Sequence, residues 1–297
     1  MIHTFLACCI ALACTIATAE EILLPHKGLT LNAKLTLVPG KKLTDGVILI
    51  THGGLAHRDT EIGTVLQTQL NQKGYSTLAI NLSLGIDKRH GLYDCQVTHR
   101  HHNADAAAEI GAWVNWLQEQ GAKRVALLGH SRGGAQTALY VAEKSPKLVQ
   151  AVVLLAPAIR ENTDHAEYQR RFQQPLAPLL AQALKLQKTG QDKKVLEHIG
   201  LLTCANTSAT ADAFVSYYNQ SPTLDTPSLI PKLHKPMFVV VAGNDEVVIG
   251  LEKKIAPLSN GGQIQMKVIE GADHTFRDLY ADDAVDVIDT FLKGIGY

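Results

Sequence analysis

The apolar run Val125-Ala126-Leu127-Leu128 leads straight into Gly129-His130-Ser131-Arg132-Gly133, and no other stretch restricts the fold of this chain so strongly. A serine between two glycines at the end of a buried strand sits on a sharp turn that lifts its hydroxyl clear of the sheet edge. The alanine-rich segment Ala135 to Lys144 supplies the helix that must follow such a turn. The pattern alone is short enough to arise by chance, but a strand before it and a helix after it make it specific. It predicts strand, turn and helix, with Ser131 presented as a nucleophile.

The neighbouring segments keep the same rhythm. Glu21 to Pro39 alternates around Gly28 and Asn32 as an antiparallel hairpin does. Val47 to Ile50 reads as a buried strand, Glu61 to Gln72 as a helix stopped by Gly74, and Ser76 to Leu82 as the next strand. Asn103 to Gln120 places Ala106, Ile110, Trp113, Val114 and Leu117 on one helical face and delivers the chain to the strand that carries Ser131. Ala151 to Leu155, Pro236 to Ala242 and Gln263 to Ile269 continue the strands, and Asp282 to Leu292 closes the chain as a helix. Strand, helix and strand in alternation predict an α/β domain with a mostly parallel central sheet flanked by helices. Between 160 and 231 the rhythm breaks into helical patterns at Glu167 to Gln174, Leu179 to Leu186 and Ala211 to Tyr218, with no clear strand. That segment is expected to be a helical cap inserted into a core formed by 20–159 and 232–297.

A serine hydroxyl is a weak nucleophile unless a histidine takes its proton and a carboxylate orients the histidine. Gly243-Asn244-Asp245 puts an acid just past one predicted strand, and Gly271-Ala272-Asp273-His274 puts a histidine just past the last. Asp273 adjoins His274, and a neighbour in sequence points away too easily to be preferred over a separate carboxylate on its own strand end, so Asp245 is the expected acid, with Glu246 and Asp225 as further alternatives. The order Ser131, Asp245, His274, each at the carboxyl end of a predicted strand, resembles the α/β-hydrolase fold from about Val47 to Leu292. The resemblance implies a serine hydrolase with a cap after the sixth strand. It also implies an oxyanion hole formed by the backbone N–H of Arg132 and that of Gly54, or of Leu55, in Thr51-His52-Gly53-Gly54. His52 lies where the family keeps oxyanion donors and is not expected to act as a base.

Composition excludes other classes. The chain has 297 residues, 46% of them hydrophobic, enough to bury one large α/β core, and its 28 basic and 28 acidic side chains leave no net field for nucleic acid or an anionic membrane. A small neutral or amphiphilic acyl substrate is the expected partner. No GxGxxG follows the first strand and no P-loop is present, so no cofactor is expected. Residues 1–19 are apolar or small and end in Ala17-Thr18-Ala19 before Glu20, the pattern of a cleaved export signal, and point to a periplasmic or secreted protein. Ala11-Leu12-Ala13-Cys14 lacks the aliphatic residue that a lipid-anchoring motif needs three positions before the cysteine, so a lipoprotein is not expected.

After such cleavage only Cys95 and Cys204 remain of five cysteines, and an oxidising compartment invites them to pair, the alternative being two separate buried thiols. The run Cys95 to His102 gathers a cysteine and three histidines, yet its spacing fits no zinc pattern. A polar loop bordering the active site is expected there, without a metal. The predicted reaction is hydrolysis of a carboxylic ester or thioester. A peptidase, amidase or acyltransferase could use the same triad, and an inactive binding protein could reuse the fold.

Overall fold

The computed structural model describes residues 19–159, 165–219, 221 and 225–297. The segment read as an export leader lies outside the described residues except for Ala19, and with it Cys8, Cys9 and Cys14. Among those described, no helix is long and apolar enough to cross a membrane.

Runs such as Val47-Ile48-Leu49-Ile50 are apolar on both faces, which suits a strand covered by helices on each side. The strands are β1 (Ala19–His26), β2 (Leu29–Thr36), β3 (Val47–Thr51), β4 (Ser76–Asn81), β5 (Val125–His130), β6 (Val149–Leu155), β9 (Met237–Ala242) and β10 (Ile264–Ile269). They form one sheet in the order β1-β2-β4-β3-β5-β6-β9-β10. β1 and β2 pair as the antiparallel hairpin expected from Glu21 to Pro39, and β2 joins β4 antiparallel; every pairing from β4 to β10 is parallel. The architecture is that of an α/β-hydrolase.

Alternate residues of each central strand feed opposite layers. Val47, Leu49 and Leu127 pack toward Ile110, Trp113 and Leu139 of α2 (Asn103–Glu119) and α3 (Arg132–Lys144). Ile48, Ile50 and Leu128 pack toward Leu66 of α1 (Glu61–Gln72) and toward Ile288 and Phe291 of α9 (Leu279–Gly294). The parallel strands all end at one edge, where the βα loops carry the polar side chains.

Between β6 and β9 lies an insert containing α4 (His165–Phe172), α5 (Leu176–Lys188), α6 (Ala211–Tyr218) and the short α7 (Thr226–Leu229). Its helices fall where the periodicity placed them. It also holds a two-stranded antiparallel sheet of β7 (Val195–Leu201) and β8 (Cys204–Thr210), where the sequence pattern offered no strand. The residues of β8, Cys-Ala-Asn-Thr-Ser-Ala-Thr, are small and mostly polar, so tertiary contacts rather than propensity make them extended. A bridge from His99 of the core to Ala209 extends this sheet on its other side. Gly200 seats the insert's core, because a Cβ there would fall 2.1 Å from the Phe172 ring.

Candidate active site

Ser131 stands between β5 and α3 with φ 55° and ψ −126°. A positive φ in a non-glycine residue costs on the order of 1–3 kcal/mol and must be held by its surroundings. Here the Ser131 amide donates to Leu155 O at 2.9 Å and the Ala158 amide donates to Ser131 O at 2.9 Å, clamping the turn to the end of β6. The flanking glycines are needed for close approach. A Cβ at 129 would lie 2.6 Å from Gly133 O, and one at 133 would lie 2.2 Å from His52 O. The turn and the loop after β3 thus touch backbone to backbone.

Asp245 follows β9 and His274 follows β10, and the parallel pairing of these strands sets the two loops side by side. The Asn244 amide donates to Ala272 O at 2.8 Å, tying the loops together. His274 Nδ1 lies 2.8 Å from Asp245 Oδ2 and His274 Nε2 lies 2.8 Å from Ser131 Oγ. A carboxylate can only accept, so Nδ1 carries the proton and Nε2 turns its lone pair to the serine hydroxyl. Asp245 Oδ1 accepts from the Val247 and Val248 amides at 2.7 and 2.8 Å. Burial opposes ionisation of Asp245, but the bond from His274 and those two amides outweigh it and hold the carboxyl below its ordinary value. The rival carboxylates are engaged elsewhere: Asp273 accepts from Thr275 and from Arg277 Nε, and Asp225 caps α7 through Ser228. Glu246 is exposed at the rim.

The backbone N–H groups of Arg132, Gly54 and Leu55 have no acceptor among the described residues. Gly54 has φ 46°, and a Cβ on the preceding Gly53 would fall 2.8 Å from Ser131 Cβ, so the loop lies directly against the serine. The arrangement offers a nucleophile, a base, a group to orient the base, and unpaired donors next to the nucleophile. That set suits acyl transfer.

Two groups near the site escape a reading of the sequence. Arg89, in Asp87-Lys88-Arg89-His90, looks like part of a solvated turn, yet it is only 4% exposed. It donates to Leu82 O at 2.7 Å, Gly91 O at 2.5 Å and Ala56 O at 2.8 Å, and its Nη2 reaches His52 Nε2 at 3.1 Å. His52 Nε2 also accepts from the Leu82 amide at 3.1 Å. Burial first, then the charge of Arg89, push the His52 pKa down to about 3, so this histidine is a neutral strut of the oxyanion loop. His130 is the second: its Nε2 donates to His274 O at 2.8 Å and fixes the backbone of the base. No sequence spacing signals either contact.

The site opens into two lobes that share Ser131, Gly54, Arg171, Thr203 and Val247. The core-side lobe, about 560 Å³, is walled by apolar residues such as Ile50, Ile62, Leu66 and Leu92. The insert-side lobe, about 320 Å³, is walled by Tyr168, Phe172, Tyr217 and Tyr218 with Arg132 and Arg171.

The run after Tyr93 borders the core-side lobe only through Leu92, Tyr93 and Cys95. Beyond that it is a fastening. Cys95 and Cys204 are disulfide-bonded. The His99 amide donates to Ser208 O at 2.8 Å, and the Thr210 amide donates to His99 O at 3.0 Å. His99 Nδ1 lies 3.0 Å from His101 Nε2, and His101 Nδ1 lies 2.7 Å from Tyr217 Oη, while His102 Nε2 lies 3.0 Å from Asp212 Oδ2. The histidines therefore serve contact with the insert.

The model of the serine aminopeptidase S33 family matches residues 43–277. Among solved structures, the chain is similar to Est1E from Butyrivibrio proteoclasticus, with TM-score 0.67 and 18% identity over 93% of this chain and 98% of that one. It is also similar to the esterase Pf2001 of Pyrococcus furiosus, with TM-score 0.60 and 16% identity over 93% and 92%. A dienelactone hydrolase from Anabaena variabilis gives TM-score 0.57 and 19% identity over 94% and 98%. No curated protein sequence matches the chain.

Proposed function

The chain belongs to the serine aminopeptidase S33 family of α/β-hydrolases, and from that premise we propose that it is an exported serine hydrolase cleaving carboxylic esters or thioesters. The observation that carries this reading is the hydrogen-bonded chain Ser131 Oγ, His274 Nε2, His274 Nδ1, Asp245 Oδ2, with both contacts at 2.8 Å.

In the proposed cycle Ser131 Oγ attacks the carbonyl carbon as its proton passes to His274 Nε2, and Asp245 steadies the imidazolium that results. The oxyanion receives hydrogen bonds from the N–H groups of Arg132 and Gly54, each donor of this kind contributing roughly 3–4 kcal/mol of barrier lowering. Collapse expels the alcohol or thiol, which takes the proton from His274, and leaves an acyl-Ser131 ester. Water then repeats the sequence, giving up a proton to His274 and releasing the acid. An ester is favoured over the N-terminal peptide that an aminopeptidase takes, because in the insert-side lobe Arg132 and Arg171 stand without carboxylate partners among the described residues, while Glu167 is already paired with Arg170 and Glu246 is at the exposed rim. The esterase Pf2001 among the structural neighbours and the ferulic acid bound to Est1E point the same way.

Residues 160–231 are proposed to form the cap over this site, the described part of which holds α4 to α7 and the β7–β8 hairpin. Export is supported by the apolar leader ending in Ala17-Thr18-Ala19 and by the Cys95–Cys204 disulfide, which persists in oxidising compartments. A fluorophosphonate probe is expected to label the wild-type protein at Ser131 and not Ser131→Ala. Hydrolysis of a panel of esters, thioesters and amides then ranks the substrates. Folded wild-type protein that resists the probe and cleaves nothing would overturn the hydrolase reading. A mature N-terminus upstream of Glu20 by mass spectrometry would contradict the cleavage site.

A further inference from the structure

The insert-side lobe holds two guanidinium groups that the proposed cycle leaves idle. Arg132 offers its backbone to the oxyanion, but its side chain runs along the lobe with Cζ 5.7 Å from the Tyr217 ring centre. Arg171, from α4, lines both lobes with Cζ 5.6 Å from the Phe172 ring centre. Three other arginines are paired with carboxylates, Arg58 with Glu21, Arg170 with Glu167 and Arg277 with Asp273, and Arg89 has its donors taken by backbone carbonyls. Among the described residues, neither Arg132 nor Arg171 has a carboxylate partner. Burial, then the charge of Arg171, hold Arg132 below its ordinary value, and the hydroxyls of Tyr217 and Tyr218 are its other electrostatic neighbours.

Two carboxylates also line this lobe. Glu167 is paired with Arg170, and Glu246 stands exposed at the rim, as Arg171 does, where water screens both charges until a ligand displaces it; Arg132 is the half-buried member of the set. Two cations around a cavity of about 320 Å³ repel each other until an anion enters between them. Guanidinium groups match a carboxylate in both charge and fork geometry. The other lobe is larger and mostly apolar; it shares Arg171 at the junction, its Arg58 is paired with Glu21, and its Ile50, Ile62, Leu66 and Leu92 suit a hydrocarbon group.

We propose that Arg132 and Arg171 form an anion subsite beside Ser131, and that the preferred substrate is an ester with a carboxylate in the insert-side lobe and an apolar group in the core-side lobe. This rests on the hydrolase reading above and adds the substrate class to it.

Matched ester pairs test it: para-nitrophenyl hemiglutarate against para-nitrophenyl valerate, with the charge on the acyl side, and para-carboxyphenyl against para-carbamoylphenyl butyrate, with the charge on the leaving group. The expected result is a kcat/KM preference of about tenfold or more for the charged member of one pair, as charge-assisted hydrogen bonds supply. Arg171→Gln and Arg132→Gln should each reduce that ratio about tenfold. Lys185→Gln, an exposed charge change on α5, should leave it unchanged. Hydrolysis of both pairs with no preference, or a preference that survives both arginine variants, would overturn the subsite and leave the hydrolase intact. If no ester is cleaved, the hydrolase reading fails, and calorimetry with glutarate decides the subsite separately. Binding about tenfold weaker in Arg171→Gln than in wild type supports it; equal or undetectable binding to both overturns it.

Discussion

The two walls of the candidate active site are built on different physics. The core wall carries Ser131, Asp245 and His274 on the ends of β5, β9 and β10, where strand register and backbone hydrogen bonds set each group. The insert wall meets the core through the loop Tyr93 to Asn103, by a disulfide, a strand bridge and a polar clasp, and through apolar packing of Phe214, Tyr217 and Leu229, with Thr226 Oγ1 donating to Ala158 O at 2.6 Å. Chemistry needs positions fixed to a fraction of an ångström, which a sheet edge provides. Recognition tolerates, and draws variety from, a segment fastened at a few points. Substitutions on the core wall should therefore act on turnover, and those on the fastening should act on stability and substrate choice.

The largest test of that division is Asp245→Asn. An amide in place of the carboxylate no longer selects the tautomer with Nδ1 protonated, so kcat is expected to fall about 10³- to 10⁴-fold, with KM little changed. The Val247 and Val248 amides can still donate to the Asn carbonyl oxygen, so the melting temperature should move little. A comparable loss of kcat from a variant in the loop that fastens the insert would break the comparison.

Arg89→Met probes how the oxyanion loop is held. It leaves the carbonyls of Leu82, Gly91 and Ala56 without their donor, and buried unpaired groups cost about 1–3 kcal/mol each. A loss of about 4 kcal/mol in denaturant unfolding is expected, with kcat reduced as well because Ala56 and His52 belong to the loop carrying Gly54. Retention of full stability would show that the loop holds itself.

The same division explains what the sequence makes legible. Ser131, Asp245 and His274 are readable because each stands at a strand end, and the strands announce themselves by local apolar runs. The helices α1, α2 and α6 follow their periodicity for the same reason. Arg89 is not readable, since a charged residue among Asp87, Lys88 and His90 looks solvated until the fold folds three carbonyls around it. Hairpin β7–β8 is hidden because its extended shape comes from partners distant in sequence: Cys95, His99 and Phe172. The loop from Cys95 to His102 suggests a border to the site, and its larger role as a fastening depends on Tyr217 and Asp212, which no local pattern connects to it.

Removing the disulfide sharpens the comparison from the other wall. The Cys95–Cys204 link spans a separation of 109 residues. Chain entropy alone gives roughly 5 kcal/mol for such a loop, and residual structure in the unfolded chain reduces this to about 3. Cys95→Ala with Cys204→Ala should lose that much stability, and hydrogen exchange should quicken in β7 and β8 well before β5 or β9. Uniform loss of protection across both walls would mean that insert and core unfold as one unit.

The smallest effect lies in the polar clasp, and it has a sign. His102 Nδ1 lies 3.4 Å from Asp105 Oδ2 and its Nε2 lies 3.0 Å from Asp212 Oδ2, with Lys193 Nζ also 2.5 Å from Asp212. The bond to Asp105, helped by Asp212 and opposed by burial, raises the His102 pKa above 6.5. A base raised in the folded state contributes stability that is complete below its unfolded pKa and is lost as pH rises through the folded one. The aspartates run the other way. Burial opposes ionisation, but bonds from Lys193, His102 and the Ala213 amide hold Asp212 at about 2, so its contribution is complete above 3.8 and is lost as pH falls toward 2. The clasp is thus strongest between about pH 4 and 6.5, and the wild-type protein should lose on the order of 1 kcal/mol or less from it on moving to pH 8. In His102→Gln, which can keep a neutral hydrogen bond to Asp212 but cannot titrate, that part of the decline should vanish, read as the difference in melting temperature between pH 6 and pH 8. If wild type and variant fall in parallel, His102 carries no charge in the clasp, and its contacts hold the insert at neutral pH only as neutral hydrogen bonds.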